Sequence, residues 1–433
     1  MAKFIINGGH TLKGSIDVSA SKNSIMSILC ASVMVKNRVV LHNMPRIQEV
    51  DRMLELLSSI GVEYSWGEEH TLLLDTSGKL NLKNIDENAC KNTRSALMLL
   101  GALATQVKNY RLYKTGGCKL GERTVRPHLY ALNKFGVHVV SKSDYYEVKN
   151  EDISAVENLV MYESGDTPTE NAIMAAVLAP GKTVIKFASS NYMVQDLCCF
   201  LVEAGAKIEG IGTTTLTITG VKSLKALEYT IMPDPIVAMT WISLACTTGS
   251  ELTVKGCPMD FLELELEKLA VMGQKFEITK KRKSTNNHFA IADITLKKSS
   301  LIALPDKIYG RPFPGLNIDN LPFFLPILTQ AKGRTLVHDW VYENRAIYYL
   351  ELQKLGAKIF LADPHRVFVE GKTKLLGNEL MCPSAIRPAM AVLIAMVAAE
   401  GKSVLRNCYM IERGYENVLE TLQGIGVDIT REE

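Results

Sequence analysis

At 433 residues, 47% of them apolar, the chain is too long for one ordinary core and rich enough to bury two. The formal charge of +3, with lysine and arginine scattered and not blocked, excludes an electrostatic footprint for nucleic acid. No apolar run approaches the ~18 residues of a membrane span, the start lacks a signal-peptide core, and nine cysteines form no metal-like Cys-x-x-Cys pair, so a soluble cytoplasmic protein with reduced thiols is expected.

From the N-terminus, a short apolar strand, Phe4-Ile5-Ile6, precedes a module that then recurs six times. Each copy is an apolar helix, a Gly or Asn turn, a strand, and an amphipathic helix closed by a glycine before another strand. The turns fall at Asn37, Asn109, Gly181, Gly249, Gly333 and Gly401, and the closing glycines at Gly61, Gly136, Gly205, Gly273, Gly356 and Gly426. Turn and closing glycine stay about 25 residues apart, a regularity that argues for internal repeats. The first helices read apolar all round, as in Ile173-Met174-Ala175-Ala176-Val177, and are expected to be buried. The second helices, such as Val50-Asp51-Arg52-Met53-Leu54-Glu55, carry a polar face and are expected outside. Length then gives three modules per domain, divided near Met232-Pro233-Asp234-Pro235, where two prolines interrupt the pattern. The strand Phe4-Ile5-Ile6 can pair with either domain.

The heads of three first helices share a feature. Ser21-Lys22-Asn23, Thr93-Arg94-Ser95 and Ser384-Ala385-Ile386-Arg387 each place a cation where the helix dipole is already positive. Any one of these is unremarkable as a solvated charge, but in repeat-equivalent positions they point to an anion. Between the turn Asn109 and the closing Gly136 of the second module lies Thr115-Gly116-Gly117-Cys118-Lys119-Leu120-Gly121-Glu122-Arg123. Its glycines allow close approach of backbone to a ligand, and its two cations favour a thiolate at Cys118 or hold an anion. A purely structural cysteine remains the alternative at this point.

Taken together, Ser21-Lys22-Asn23, Arg94, Gly116-Gly117-Cys118 with Arg123, Asp319, Glu343-Asn344-Arg345, Arg387 and Ile411-Glu412-Arg413-Gly414-Tyr415-Glu416 resemble the enolpyruvyl transferases over essentially the whole chain. Within that family the branch using UDP-N-acetylglucosamine, in the first committed step of peptidoglycan synthesis, is the most similar. The resemblance implies an α/β fold of two inside-out α/β barrel domains built from six βαβ-type repeats, with residues 22–232 as one domain and 1–21 plus 233–433 as the other. It places the active site in the cleft between them. It implies transfer of enolpyruvyl from phosphoenolpyruvate to a sugar 3-hydroxyl through a tetrahedral intermediate, without cofactor or metal, with small-molecule substrates and no obligate protein partner. It further implies Cys118 as the acid that protonates the methylene carbon and Asp319 as the base near the acceptor hydroxyl. Lys22, Arg123 and Arg413 are implied on the phosphate, Arg345 and Arg387 on the carboxylate and intermediate, and Asn23, Arg94, Asp319 and Val341 on the acceptor.

The chain also departs from the family pattern. Arg126 stands in Thr124-Val125-Arg126-Pro127 where an acid is usual, Glu163 aligns with a family lysine near the diphosphate, Asp166 puts an acid into the following segment where small residues are usual, and Met98, Pro235 and Ala385 replace an aromatic, an arginine and an aspartate. The residues expected around phosphoenolpyruvate are intact while those around a nucleotide have drifted. A different sugar or cyclitol acceptor, or a binding paralogue, therefore stays open beside the first reading.

Overall fold

The computed structural model describes residues 2–68, 70–114 and 124–433. These divide into two compact units, one of residues 20–114 and 124–232, the other joining 2–19 to 233–433.

In the first unit the helix Lys22–Ser32, the helical stretch Arg94–Ala102 and the helix Asp166–Val177 pack on one another. In the second, Pro235–Thr248, Leu321–Thr329 and Ile386–Ala398 do the same. All are apolar around nearly their whole circumference, as helices surrounded by other elements must be. Sheets flank them in both units. No set of described strands closes into a barrel: the six sheets are separate and open, and the helices occupy the interior.

Five of the six sheets have four strands in one recurring order, with a short edge strand running parallel to the strand that follows the turn. The N-terminal segment serves two of them. Strand Lys13–Asp17 is the parallel edge beside Glu251–Pro258, and strand Lys3–Gly8 lies between Gly401–Arg406 and Asp428–Glu432, antiparallel to both. Phe4 and Ile6 are buried there, alternating with more exposed neighbours as the pleat requires. The sixth repeat is thus completed by the opposite end of the chain, so Phe4-Ile5-Ile6 belongs with residues 233–433.

The six closing glycines all adopt left-handed backbone, with φ between 85° and 102°. Gly136 shows why no other residue fits: a Cβ there would lie 2.1 Å from the Glu151 carbonyl oxygen. At the turns Gly181, Gly249, Gly333 and Gly401 are also left-handed, but in the first repeat Lys36 takes that conformation (φ 52°) and not Asn37, and Asn109 simply starts a strand.

The second helices are less uniform than their polar faces suggest. Gln48–Ser59 is half exposed, whereas Tyr192–Glu203 packs against Lys22–Ser32 and buries Cys198 and Cys199 among Leu197, Phe200 and Leu201. The fifth repeat has a 3-10 helix, Arg345–Leu355, at this place. The expectation of an exposed second helix fails for the third repeat because Tyr192–Glu203 is apolar nearly all round.

Candidate active site

Residue 319 sits one position before the N-cap of the helix Leu321–Thr329. Asn317 turns the chain there: its Oδ1 accepts from the Asp319 N–H at 2.9 Å, while the buried Glu265 accepts from Asn320 Nδ2 at 2.7 Å and from the Asn317 N–H at 3.3 Å. Asp319 is therefore not the helix cap. Its side chain, 24% exposed, faces Arg345 Nη1 at 3.5 Å and Arg387 Nε at 4.0 Å, and accepts from the Tyr342 hydroxyl at 3.5 Å. These contacts lie within one unit.

Arg345 is only 1% exposed and is held on three sides. Its Nε and Nη2 donate to Asp339 at 2.6 and 2.7 Å, and Nη2 also donates to the Ile318 carbonyl at 2.6 Å. Tyr349 donates to the same carboxylate at 2.5 Å, and the Tyr342 ring lies 4.3 Å from the guanidinium. A bidentate carboxylate fixes the plane of the guanidinium and leaves Nη1 directed to Asp319. Arg387, in the first turn of Ile386–Ala398, donates to the Tyr415 hydroxyl at 3.1 Å, and that hydroxyl meets Thr240 at 2.8 Å. Arg413 follows the short helix Tyr409–Glu412, and Val341 lies in the segment before Arg345. The structure thus brings Asp319, Arg345 and Arg387 together. Asp339 and Glu265 were not visible in the sequence, since each acts across a loop or between repeats with no periodic spacing, and Tyr349, four residues after Arg345 on the same helix, read as an ordinary helix residue; Asp339 is found only by asking what neutralises a buried arginine.

Ala385 is the N-cap of the helix carrying Arg387, extended at φ −133° and ψ 135°, and its methyl side chain cannot accept from the N–H groups of the first turn. Pro388 has no N–H, so the Arg387 amide is the donor a cap would serve. Ala385→Asp is expected to raise unfolding free energy by ~1 kcal/mol, measured by urea titration; a lower midpoint would refute this account of the helix start.

In the other unit Lys22 is the first residue of its helix, after Ser21, whose Oγ accepts from the Ser24 N–H at 3.2 Å. Asn23 donates to the Tyr192 hydroxyl at 3.0 Å. Arg94 opens its 3-10 turn near His128, whose imidazole is held down to about 3 by burial and then by the Arg94 charge. A neutral ring fits its partners: Nδ1 faces Asn171 Nδ2 at 2.8 Å and Nε2 faces Thr167 Oγ1 at 3.3 Å. Asp166 is committed within the protein, accepting from Ser189 Oγ at 2.5 Å and Asn191 Nδ2 at 3.2 Å in the first turn of its helix, where a negative charge is favourable. Glu163 and Arg126 are exposed. Cys118 and Arg123 lie outside the described residues.

Glu170, on the same helix as Asp166, is buried, and burial first, then Asp166, pushes its carboxyl up to about 8. A folded-state value above the unfolded one means that the unfolded chain releases this proton first, so stability is full below about 4.5 and declines as pH rises toward about 8. Glu170→Gln should be relatively more stable than the parent at pH 8.5 than at pH 4.5 in paired urea titrations; equal pH dependence of the two would refute the assignment.

The profile of the family described as EPSP synthase (3-phosphoshikimate 1-carboxyvinyltransferase) matches residues 6–422. The chain belongs to the EPSP synthase family. Among curated relatives, a UDP-N-acetylglucosamine 1-carboxyvinyltransferase of Treponema denticola is 33% identical, with 100% of both chains covered. UDP-N-acetylglucosamine 1-carboxyvinyltransferase 2 of Caldanaerobacter subterraneus is 35% identical, again over 100% of both. Among solved structures, the enolpyruvyl transferase NikO from Streptomyces tendae superposes with a TM-score of 0.84 at 23% identity, covering 100% of this chain and 99% of that one. EPSP synthase from Acinetobacter baumannii gives 0.79 at 17% identity over 100% of both. These two establish the same mixed α/β two-domain fold. As a member of this family the chain is a transferase that moves an enolpyruvyl (1-carboxyvinyl) group, and no helix among the described residues is long and apolar enough to cross a membrane.

Proposed function

We propose that the chain transfers enolpyruvyl from phosphoenolpyruvate to the 3-hydroxyl of UDP-N-acetylglucosamine, releasing phosphate, as a cytoplasmic enzyme committing sugar to peptidoglycan. The end-to-end match to relatives bearing that name is the observation that carries the acceptor. The chemistry draws support from the carboxylate of Asp319 set against Arg345 and Arg387. In this proposal Asp319 takes the proton of the hydroxyl as its oxygen attacks the central carbon of phosphoenolpyruvate, and Cys118 delivers a proton to the methylene carbon. Loss of a proton from the resulting methyl group then expels phosphate from the tetrahedral intermediate. Lys22, Arg123 and Arg413 take the phosphate, Arg345 and Arg387 the carboxylate and developing charge, and Asn23, Arg94 and Val341 the acceptor. The test is phosphate release from phosphoenolpyruvate plus UDP-N-acetylglucosamine. No release, with phosphoenolpyruvate binding intact by calorimetry, refutes the acceptor and leaves the enolpyruvyl half standing.

A second reading keeps the transfer and changes the acceptor to another sugar or cyclitol. The exposed Arg126 at the head of Arg126–Asn133 and the exposed Glu163 favour it, since each alters the charge a nucleotide would meet. Turnover with a non-nucleotide sugar and none with UDP-N-acetylglucosamine would decide for it.

Cys118 is expected to be the first of the nine cysteines alkylated by an epoxide or by iodoacetamide. The other eight are buried. Burial pushes the thiols of Cys30, Cys198, Cys246 and Cys257 far above the usual range and Cys408 up to about 11, so these thiols form little thiolate at neutral pH. Peptide mapping that finds another cysteine modified first would remove the special reactivity assigned to Cys118.

A further inference from the structure

Among the described residues, one sheet has three strands where the others have four. Strands Asn109–Tyr113, Tyr145–Asn150 and Val137–Ser141 form a three-stranded sheet with Asn109–Tyr113 at its edge, where the other five sheets place a parallel strand. The direction of the edge groups follows from the pairing. The Lys114 N–H and the Lys108 carbonyl bond inward, to Asp144 and Asn150, so the alternate residues Asn109, Arg111 and Tyr113 present N–H and C=O outward. At the Tyr113 end the N–H meets the Cys90 sulfur, on the helix Glu87–Asn92 that replaces the expected strand. At Asn109 and Arg111 no described backbone group pairs with the outward side.

A groove of about 1060 Å³ runs along this stretch. Leu82, Tyr110 and Val148 form buried parts of its wall, and the Tyr110 hydroxyl is buried without a hydrogen-bond partner. The rim carries Lys79, Lys83, Arg111 and Lys149 against one acid, Glu147, which itself pairs with Lys142 at 3.5 Å. An open edge, an apolar floor and a basic rim are the requirements for adding a strand of opposite charge.

We propose that this edge is a docking surface for an extended acidic segment of a partner polypeptide, which adds to Asn109–Tyr113 as a parallel fourth strand. Alternate side chains of that segment enter the groove, and its acids face Lys79, Lys83 and Arg111. The inference is independent of the acceptor and of the transfer reaction.

The test uses the full chain and a short fluorescent peptide of alternating Glu and Val, compared with its Lys-Val counterpart. Hydrogen exchange at the Asn109 and Arg111 amides is expected to slow at least about tenfold with the Glu-Val peptide and not with the other. Lys79→Glu with Lys83→Glu should weaken the Glu-Val peptide by roughly tenfold or more in anisotropy titrations and favour the Lys-Val peptide. Arg111→Pro removes one outward N–H at an edge position that tolerates proline, and should also weaken binding; if it misfolds, the two lysine replacements carry the test. Equal binding of the two peptides, or unchanged exchange at both amides, overturns the proposal. So does protection of those amides by self-association at rising protein concentration, which would assign the edge to a second copy.

Discussion

Replacing Asp319 with Asn is expected to lower phosphate release from phosphoenolpyruvate and acceptor by about 10²–10⁴-fold, while the urea midpoint stays close to that of the parent. The two halves of this result follow from one geometry. The side chain is partly open to solvent, its longest-range partners are Arg345 at 3.5 Å and Arg387 at 4.0 Å, and the backbone turn beneath it depends on Asn317 and Glu265. Asn fits the same space and leaves those bonds in place. What it removes is the negative charge and the ability to accept a proton from a hydroxyl. Arg345 keeps its compensating charge in Asp339, so no buried cation is stranded. A loss of turnover below about tenfold would remove Asp319 as the base. An equal loss of phosphoenolpyruvate affinity and of stability would show that its role is to hold the arginines.

The repeat was legible because its punctuation is a backbone requirement. Closing glycines at positions such as Gly136 and Gly356 are fixed by left-handed geometry, and apolar helices such as Ile386–Ala398 by burial on all sides. The exchange of strand Lys3–Gly8 into the sixth repeat was not legible, since an alternating apolar pattern specifies a face and not a partner. The three-stranded form of the sheet edged by Asn109–Tyr113 among the described residues was equally silent: Glu87–Asn92 forms a helix capped by Asp86, a local preference that overrides the repeat. Among candidate site residues, the cations at helix heads were visible by position. What orients them was not, because the loop carrying Asp339 reaches Arg345 and Tyr349 only by folding back onto the 3-10 helix that carries both.

That orientation leads to the largest stability effect. Asp339→Asn is expected to destabilise the unit by about 3–5 kcal/mol, the usual cost of stranding one member of a buried ion pair. Asp339 and Arg345 are each 1% exposed, and the carboxylate accepts from Arg345 Nε and Nη2 and from Tyr349 at 2.5 to 2.7 Å. An amide in its place offers a donor to a donor on one side and leaves a buried guanidinium without its counter-charge. The paired replacement Asp339→Leu with Arg345→Met should cost much less, because it removes both charges and fills similar volume. The two variants also separate positioning from bulk stability. At a temperature where both remain folded, Asp339→Asn should raise KM for phosphoenolpyruvate more than it lowers kcat, since Arg345 survives but its Nη1 is no longer aimed toward Asp319. The paired variant should lose kcat as well, because the arginine itself is gone. If Asp339→Asn left both KM and unfolding free energy unchanged, the locked geometry of Arg345 would have no energetic weight, and the arginine would have to be positioned by the Ile318 carbonyl and the Tyr342 ring instead.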